Sequence, residues 1–157
     1  MPDAYLDGLR MLARRELSEA QVRQRLARKA HDPDAIDEAI ARLTQERAID
    51  DARTAAAIAR TETSVKRRGR LRVKQAIAKA GIGRSTATRA LDEVFDALDH
   101  EALIEAALTK RLRGRQTIKD DNEFARLYRF LLGQGFESDH VMKVLELRRR
   151  SRAGPTS

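Results

Sequence analysis

At residues 69–82 the chain reads Gly69-Arg-Leu-Arg-Val73-Lys-Gln-Ala-Ile77-Ala-Lys-Ala-Gly81-Ile82, and the apolar pattern of this stretch occurs three times. One copy lies 51 positions earlier and the other 54 positions later, without gaps. Self-similarity at a period of this length is typical of repeat proteins. The equivalent apolar pairs are, in chain order, Val22 and Leu26, Val73 and Ile77, and Leu127 and Leu131.

Apolar residues around each copy recur at spacings of three and four, which predicts amphipathic helices. Helix boundaries agree with this pattern. Ser18 and Gln21 form a predicted capping box, and Asp32 precedes Pro33 as an N-cap before a proline in the first turn. Each copy is therefore predicted to contain three helices. The glycines expected just after helix ends are Gly81 and Gly135.

The sequence predicts an all-α fold of three tandem three-helix repeats, with about nine helices in total. Alanine, arginine and leucine dominate, and aromatic residues make up 4% of the chain. Because a three-helix unit buries little surface alone, we expect neighbouring repeats to share contacts and form an elongated array. The expected ranges are 1–49, 50–98 and 99–150, followed by a disordered tail at 151–157.

Positive charge is concentrated in the second repeat. The chain has 32 basic and 24 acidic residues, a net charge of +8, yet Thr63–Leu91 contains no acidic residue. We expect Arg72 and Lys79 to lie on the outward face of the predicted helix there. One interpretation is contact with a polyanion, and the other is a surface that increases solubility. The predicted binding residues are Lys66, Arg67, Arg68, Arg70, Arg72, Lys74 and Lys79.

Two smaller basic groups end the seventh and ninth predicted helices, where cations also offset the helix dipole. No aromatic residue lies within Thr63–Leu91, which disfavours independent single-strand binding by base stacking. The two groups are Lys110, Arg111, Arg113 and Arg115, and Arg148, Arg149, Arg150 and Arg152. The residues predicted as secondary basic contacts are Arg113, Arg115, Arg148 and Arg149.

Several classes of chemistry have no support in the sequence. Cysteine is absent, which excludes disulfide scaffolds and thiolate sites, and no phosphate-binding glycine-rich loop occurs. The pairs Asp50-Asp51 and Asp120-Asp121 precede predicted helices, so we interpret them as caps rather than metal ligands. His31 corresponds to Ile82 and Phe136 of the other repeats and is interpreted as a packing residue. We expect no enzymatic activity, no cofactor and no metal, and a cytoplasmic protein without a membrane span.

Three motifs in this order resemble the RecX family of recombinase regulatory proteins. They are Asp50-Asp51-Ala-Arg53, the stretch Gly69–Ile82, and Gly135-Phe136-Glu-Ser-Asp-His-Val141-Met-Lys-Val144-Leu145. The resemblance extends from about Leu6 to Arg149. Three positions depart from the family pattern: Ala30 replaces a helix-ending glycine, Arg47-Ala48 replaces a glycine–aromatic pair, and Thr54 replaces an aromatic residue.

The resemblance implies a curved, all-helical chain that binds the RecA filament on single-stranded DNA. Members of this family inhibit the ATPase, strand-exchange and coprotease activities of RecA, within DNA recombination, repair and the SOS response. On this chain the implied contact segment is Lys66 to Lys79, and we expect a monomer with at most weak direct DNA contact. Two alternatives stay open: an independent helix-turn-helix-like DNA-binding protein, and a structural adaptor between proteins.

Overall fold

The architecture is all-helical, as the sequence predicts. In the computed structural model the described residues are 3–153, with side chains described through Arg149, and this part of the chain forms nine helices and no strands. In chain order the helices are α1 (Ala4–Arg14), α2 (Glu19–Arg28), α3 (Pro33–Gln45), α4 (Asp51–Ser64), α5 (Arg70–Lys79), α6 (Arg84–Asp96), α7 (His100–Leu112), α8 (Asp121–Gly133) and α9 (Ser138–Ala153).

By their internal contacts the residues group into two units. Among the described residues, unit 1 contains residues 3–59 together with Gln75–Ala90, and unit 2 contains Arg60–Lys74 together with residues 91–153. Helix α5 therefore contributes its first half to unit 2 and its second half to unit 1.

Helices α1–α3 and α4–α6 fall within the first two predicted repeats and α7–α9 begin within the third, and the repeat boundaries themselves stay a prediction. Helix α9 runs through residues 151–153, which the sequence pattern assigns to the disordered tail. The remaining tail residues, 154–157, lie outside the described part of the chain.

Each unit has an apolar core made of the residues that the repeat pattern selects. In unit 1 Val22 and Leu26 are completely buried, and in unit 2 Leu131 and Leu145 are. Burial of a side chain of this size stabilises the folded state by about 1.5–3 kcal/mol. The spacing of three and four is therefore explained by packing. Ala30, which continues the spacing of Val22 and Leu26 by four residues, is exposed instead, because α2 ends before it.

The helix caps also follow the sequence. Ser18 and Gln21 form the predicted capping box at α2, and Asp120 accepts a hydrogen bond from the backbone N–H of the third residue of α8. Asp50 accepts one in the same way at the start of α4. Asp32 occupies the N-cap position of α3, but its side chain makes no capping bond. These bonds satisfy backbone amides that the first helical turn leaves without partners.

The ends of equivalent helices meet in a similar way in both units. In unit 1 the Ser18 hydroxyl, at the N-terminus of α2, donates to the carbonyl of Ala80 at the end of α5. In unit 2 the backbone N–H of Gly69, at the N-terminus of α5, donates to the carbonyl of Gln134 at the end of α8, at 2.8 Å. The donors are 51 positions apart and the acceptors 54, which are the shifts of the sequence repeat. The repeat therefore encodes a helix-to-helix junction as well as a core.

A left-handed residue ends the middle helix of each predicted repeat. The φ angle is +62° at Ala30, +78° at Gly81 and +99° at Gly135. Only glycine adopts this region without a steric penalty, and an L-residue there costs about 1–2 kcal/mol. The departure from the family pattern at Ala30 is therefore a point of local backbone strain. Arg47, which also replaces a glycine of that pattern, has a φ angle of +58°.

Replacement of Ala30 by glycine should raise the free energy of unfolding by about 0.5–1 kcal/mol, because it relieves this strain while adding some freedom to the unfolded chain. The same change at Ala41, which is exposed within α3, should lower it by about 1 kcal/mol. Urea unfolding followed by circular dichroism measures both. Loss of stability in both variants would contradict the assignment of strain to Ala30.

Candidate functional site

The basic segment predicted to bind a polyanion lies between the end of α4 and the end of α5. The stretch Thr63–Leu91, which contains no acidic residue, is called the acid-free window. Two carboxylates that border it neutralise part of its positive charge. Glu62, which is buried, pairs with Lys66 and Arg68 at 3.0 Å each. Asp92 pairs with Arg70 at 2.7 Å. The absence of acidic residues from Thr63–Leu91 therefore does not leave these three cations without a carboxylate partner.

The position of Arg72 also differs from the outward stripe that the helical pattern predicts. Its side chain is half-buried and donates to the carbonyl of Gly133 at 3.2 Å. Lys74 and Lys79 are exposed, in agreement with the pattern. Helical periodicity predicts the direction in which a side chain leaves its own helix. It does not predict which residues of a neighbouring helix that side chain contacts. The binding role of the whole segment stays a prediction.

Two of the arginines predicted as secondary contacts form ion pairs with carboxylates of unit 2. Arg115 pairs with the buried carboxylate of Glu123 at 2.7 Å. Arg148 pairs with Glu105 and also donates to the carbonyl of Gln116, at 2.8 Å. Both guanidinium groups therefore have a structural role, which explains their positions without a ligand.

The other two secondary contacts differ from each other. Arg149 pairs with Asp121 at 3.0 Å, and its guanidinium lies 5.0 Å from the centre of the Phe124 ring. Arg113 is exposed at the end of α7. The side chains of Arg150 and Arg152, which end the same basic group in the sequence, lie outside the described residues.

Residues from two of the basic groups line one cleft in unit 2, which we call the basic cleft. Its volume is about 340 Å³, and five of its eight lining residues are basic. Two of these cations come from the connection between α4 and α5, and three come from the end of α7. The five cations are Lys66, Arg67, Lys110, Arg111 and Arg113. The lining is completed by Ala107, Phe130 and Gln134.

The basic cleft combines residues that the sequence selects with residues that it does not. Lys110 and Arg111 stand out in the sequence only as part of a basic helix end. Phe130 lies on α8 and has no connection to a basic group in the sequence, yet the guanidinium of Arg111 lies 4.6 Å from the centre of its ring. The described part of the chain contains no group of three or more carboxylate, histidine or cysteine side chains placed to hold a metal ion. The cleft residues predicted as contacts are Lys66, Arg67 and Arg113.

Two three-helix domains of a known family match the regions that contain most of α1–α3 and α7–α9. Residues 4–43 match the first three-helix domain of RecX, and residues 99–145 match the third. A regulatory protein RecX from Leptothrix cholodnii is 34% identical over 148 residues, which are 93% of this chain and 90% of the relative. The chain belongs to the RecX family.

Other RecX proteins support this assignment over a similar length. A regulatory protein RecX from Halorhodospira halophila is 31% identical over 135 residues, covering 85% of this chain and 81% of the relative. The crystal structure of RecX from Lactobacillus salivarius matches with a TM-score of 0.74 at 25% identity, covering 92% of this chain and 95% of that one. The RecX resemblance is thus confirmed. No helix among residues 3–153 is long and apolar enough to cross a membrane.

Proposed function

We propose that this RecX family member is a non-enzymatic negative regulator of RecA, acting on the RecA filament assembled on single-stranded DNA. The observation that carries the proposal is the match to a RecX protein over 93% of the chain, with the first and third domains of the family in order. In this proposal it acts as a cytoplasmic monomer that lowers ATP hydrolysis, strand exchange and coprotease activity of RecA.

The distribution of charge supports a contact made of many weak interactions. Several of the predicted cations are held by carboxylates of the same chain, so their charge is partly compensated. Exposed cations such as Lys74 and Lys79 are accessible to an anionic filament. Contacts that are individually weak add multiplicatively in binding when one chain presents them together.

Addition of the protein to RecA on single-stranded DNA should lower the rate of ATP hydrolysis. The double variant Lys74→Glu/Lys79→Glu should raise the half-inhibitory concentration about tenfold, because two attractive contacts become repulsive. The matched control is Arg84→Glu/Arg89→Glu, with the same change in charge at exposed positions of α6. Reversal of Arg68 is unsuitable for this test because it would place a carboxylate against its buried acidic partner.

Three results would count against this function. ATP hydrolysis that stays unchanged across a wide excess of the protein would reject the regulation of RecA. Tight binding to duplex DNA without RecA, with a log–log salt slope near −4 for about four neutralised phosphates, would favour the helix-turn-helix-like alternative. Filament binding that is equally insensitive to both charge-reversed variants would favour an adaptor role.

A further inference from the structure

The basic cleft of unit 2 contains two arginines with a rare backbone conformation. Arg67 has a φ angle of +54° and Arg113 one of +51°. Residues with a β-carbon seldom occupy this left-handed region, which at Arg113 ends α7. Both arginines line the same cleft although 46 positions separate them in sequence. The strain therefore falls on residues that bring charge to the cleft.

The positive charge of the basic cleft is not balanced by its own lining. Of the residues described there, none is a carboxylate, and Glu62 pairs with Lys66 from outside the lining. Two other clefts rich in basic residues each include an acidic side chain. One, in unit 1, includes Asp7, and one, in unit 2, includes Glu123. Of these three clefts, the basic cleft is the one whose lining has no carboxylate to repel a bound anion, although the cleft in unit 1 has the same net charge, with six cations and Asp7.

The arrangement of Arg111 and Phe130 favours a phosphate within a nucleotide. The guanidinium of Arg111 contacts the Phe130 ring, and the N–H donors of a guanidinium lie in its plane, where they match the oxygens of a phosphate in bidentate geometry. Nucleic acid bases also stack on arginine planes. Gln134 adds an amide, and Ala107 adds an apolar wall. An acidic peptide has the same charge but gains little from this stacking surface.

The size of the basic cleft favours a single strand. Its volume of about 340 Å³ is near the lower end of small-molecule pockets, about 300–1,000 Å³. A flexible single strand can turn one phosphate into such a concave site. The backbone of a regular duplex is convex and presents its phosphates along a ridge.

We propose that the basic cleft binds a phosphodiester group of single-stranded DNA. Arg67, Lys110 and Arg113 supply charge to the phosphate, and Arg111 supplies in-plane donors and a stacking surface. This inference rests on the proposed function, since it assigns the DNA strand of the filament as the partner of this surface.

The test uses fluorescence anisotropy to measure how tightly the full chain binds a fluorescein-labelled oligothymidylate. It is carried out without RecA, over a range of salt concentrations. The variant Lys110→Glu/Arg113→Glu should weaken binding about tenfold and reduce the log–log salt slope by about 0.7, which is the loss of one neutralised phosphate on a single strand. The control Arg84→Glu/Arg89→Glu carries the same change in charge and should bind like wild type. A neutral version, Lys110→Gln/Arg113→Gln, should give a smaller loss in the same direction.

Equal losses in the test and control variants, or no loss in either, would overturn the proposal. A fluorescent polyglutamate peptide provides the second arm. If it binds as tightly as the oligothymidylate, and if Lys110→Glu/Arg113→Glu abolishes that binding, the cleft is a site for acidic peptides and the proposal fails. Inhibition of RecA by wild type is measured separately, so failure of the cleft assignment is distinguishable from failure of the proposed function.

Discussion

Replacement of Gly135 by alanine is expected to lower the free energy of unfolding by about 3 kcal/mol, because two separate costs of about 1–3 kcal/mol combine. Gly135 has a φ angle of +99°, and an added β-carbon would lie 2.5 Å from the backbone nitrogen of Arg72. The contact is with backbone rather than with a flexible side-chain end. Relaxation therefore requires movement of the junction between α5 and α8.

Alanine substitutions at three other glycines of unit 2 distinguish the cost of a positive φ angle from the cost of the steric contact. Gly69 shows the contact without a positive φ angle, since its β-carbon would lie 2.6 Å from the backbone of Gly135. Gly114 has a φ angle of +90° with nothing within 4 Å, and Gly133 has open space and ends α8. Alanine at Gly69 and at Gly114 should each destabilise less than at Gly135, and alanine at Gly133 should be neutral or slightly stabilising.

Chemical denaturation followed by circular dichroism measures this series. A loss of about 3 kcal/mol in a chain of this length corresponds to a melting temperature lower by roughly 6–12 °C. If Gly135→Ala proves as stable as Gly133→Ala, the close approach of α5 and α8 in unit 2 is wrong.

Replacement of Glu123 by glutamine is expected to cost about 2 kcal/mol at neutral pH, since hydrogen bonds to a charged group contribute about 1.5–3 kcal/mol. The buried carboxylate accepts hydrogen bonds from the Arg115 guanidinium at 2.7 Å and from the backbone N–H of Lys119 at 3.0 Å. Glutamine keeps the shape of the side chain but loses the charge. The substitution therefore tests the carboxylate rather than the packing.

The same residue gives a pH dependence with a defined sign. The bond from Arg115 holds the pKa of Glu123 below its ordinary value of 4.5, and the Lys119 amide acts in the same direction against burial. The ionised carboxylate thus stabilises the folded state fully above the unfolded pKa, and this contribution is lost as the pH falls through the folded pKa. The stability difference between wild type and Glu123→Gln should therefore shrink from about pH 5 downward.

Urea titrations of both proteins at several pH values measure that difference. Glu93→Gln is the matched control, because Glu93 is exposed within α6 and should show little effect at any pH. A difference between wild type and Glu123→Gln that stays constant across the acid range would show that the pKa of this carboxyl is not lowered by folding.

Some features of the candidate site could not be predicted from the sequence because they depend on which helices come together. Glu62 and Asp92 lie just outside the acid-free window, and only the fold shows that they pair with basic residues inside it. His31 is at its expected packing position, yet its ring nitrogen lies 2.7 Å from a carboxylate oxygen of Asp7. The apolar residues at the equivalent positions of the other repeats give no signal for that bond.

The amino-acid sequence predicted the helices, most of their caps, the apolar cores and the family. These features depend on short apolar spacings and on the order of motifs along the chain. Helical propensity and apolar spacing act locally and recur in each repeat. Only the packing of the helices determined which cations pair with carboxylates and which cations line one cleft together. Arg70 meets an acid 22 positions away, and Arg67 shares a cleft with Phe130, because ion pairs and clefts join side chains through space rather than along the chain.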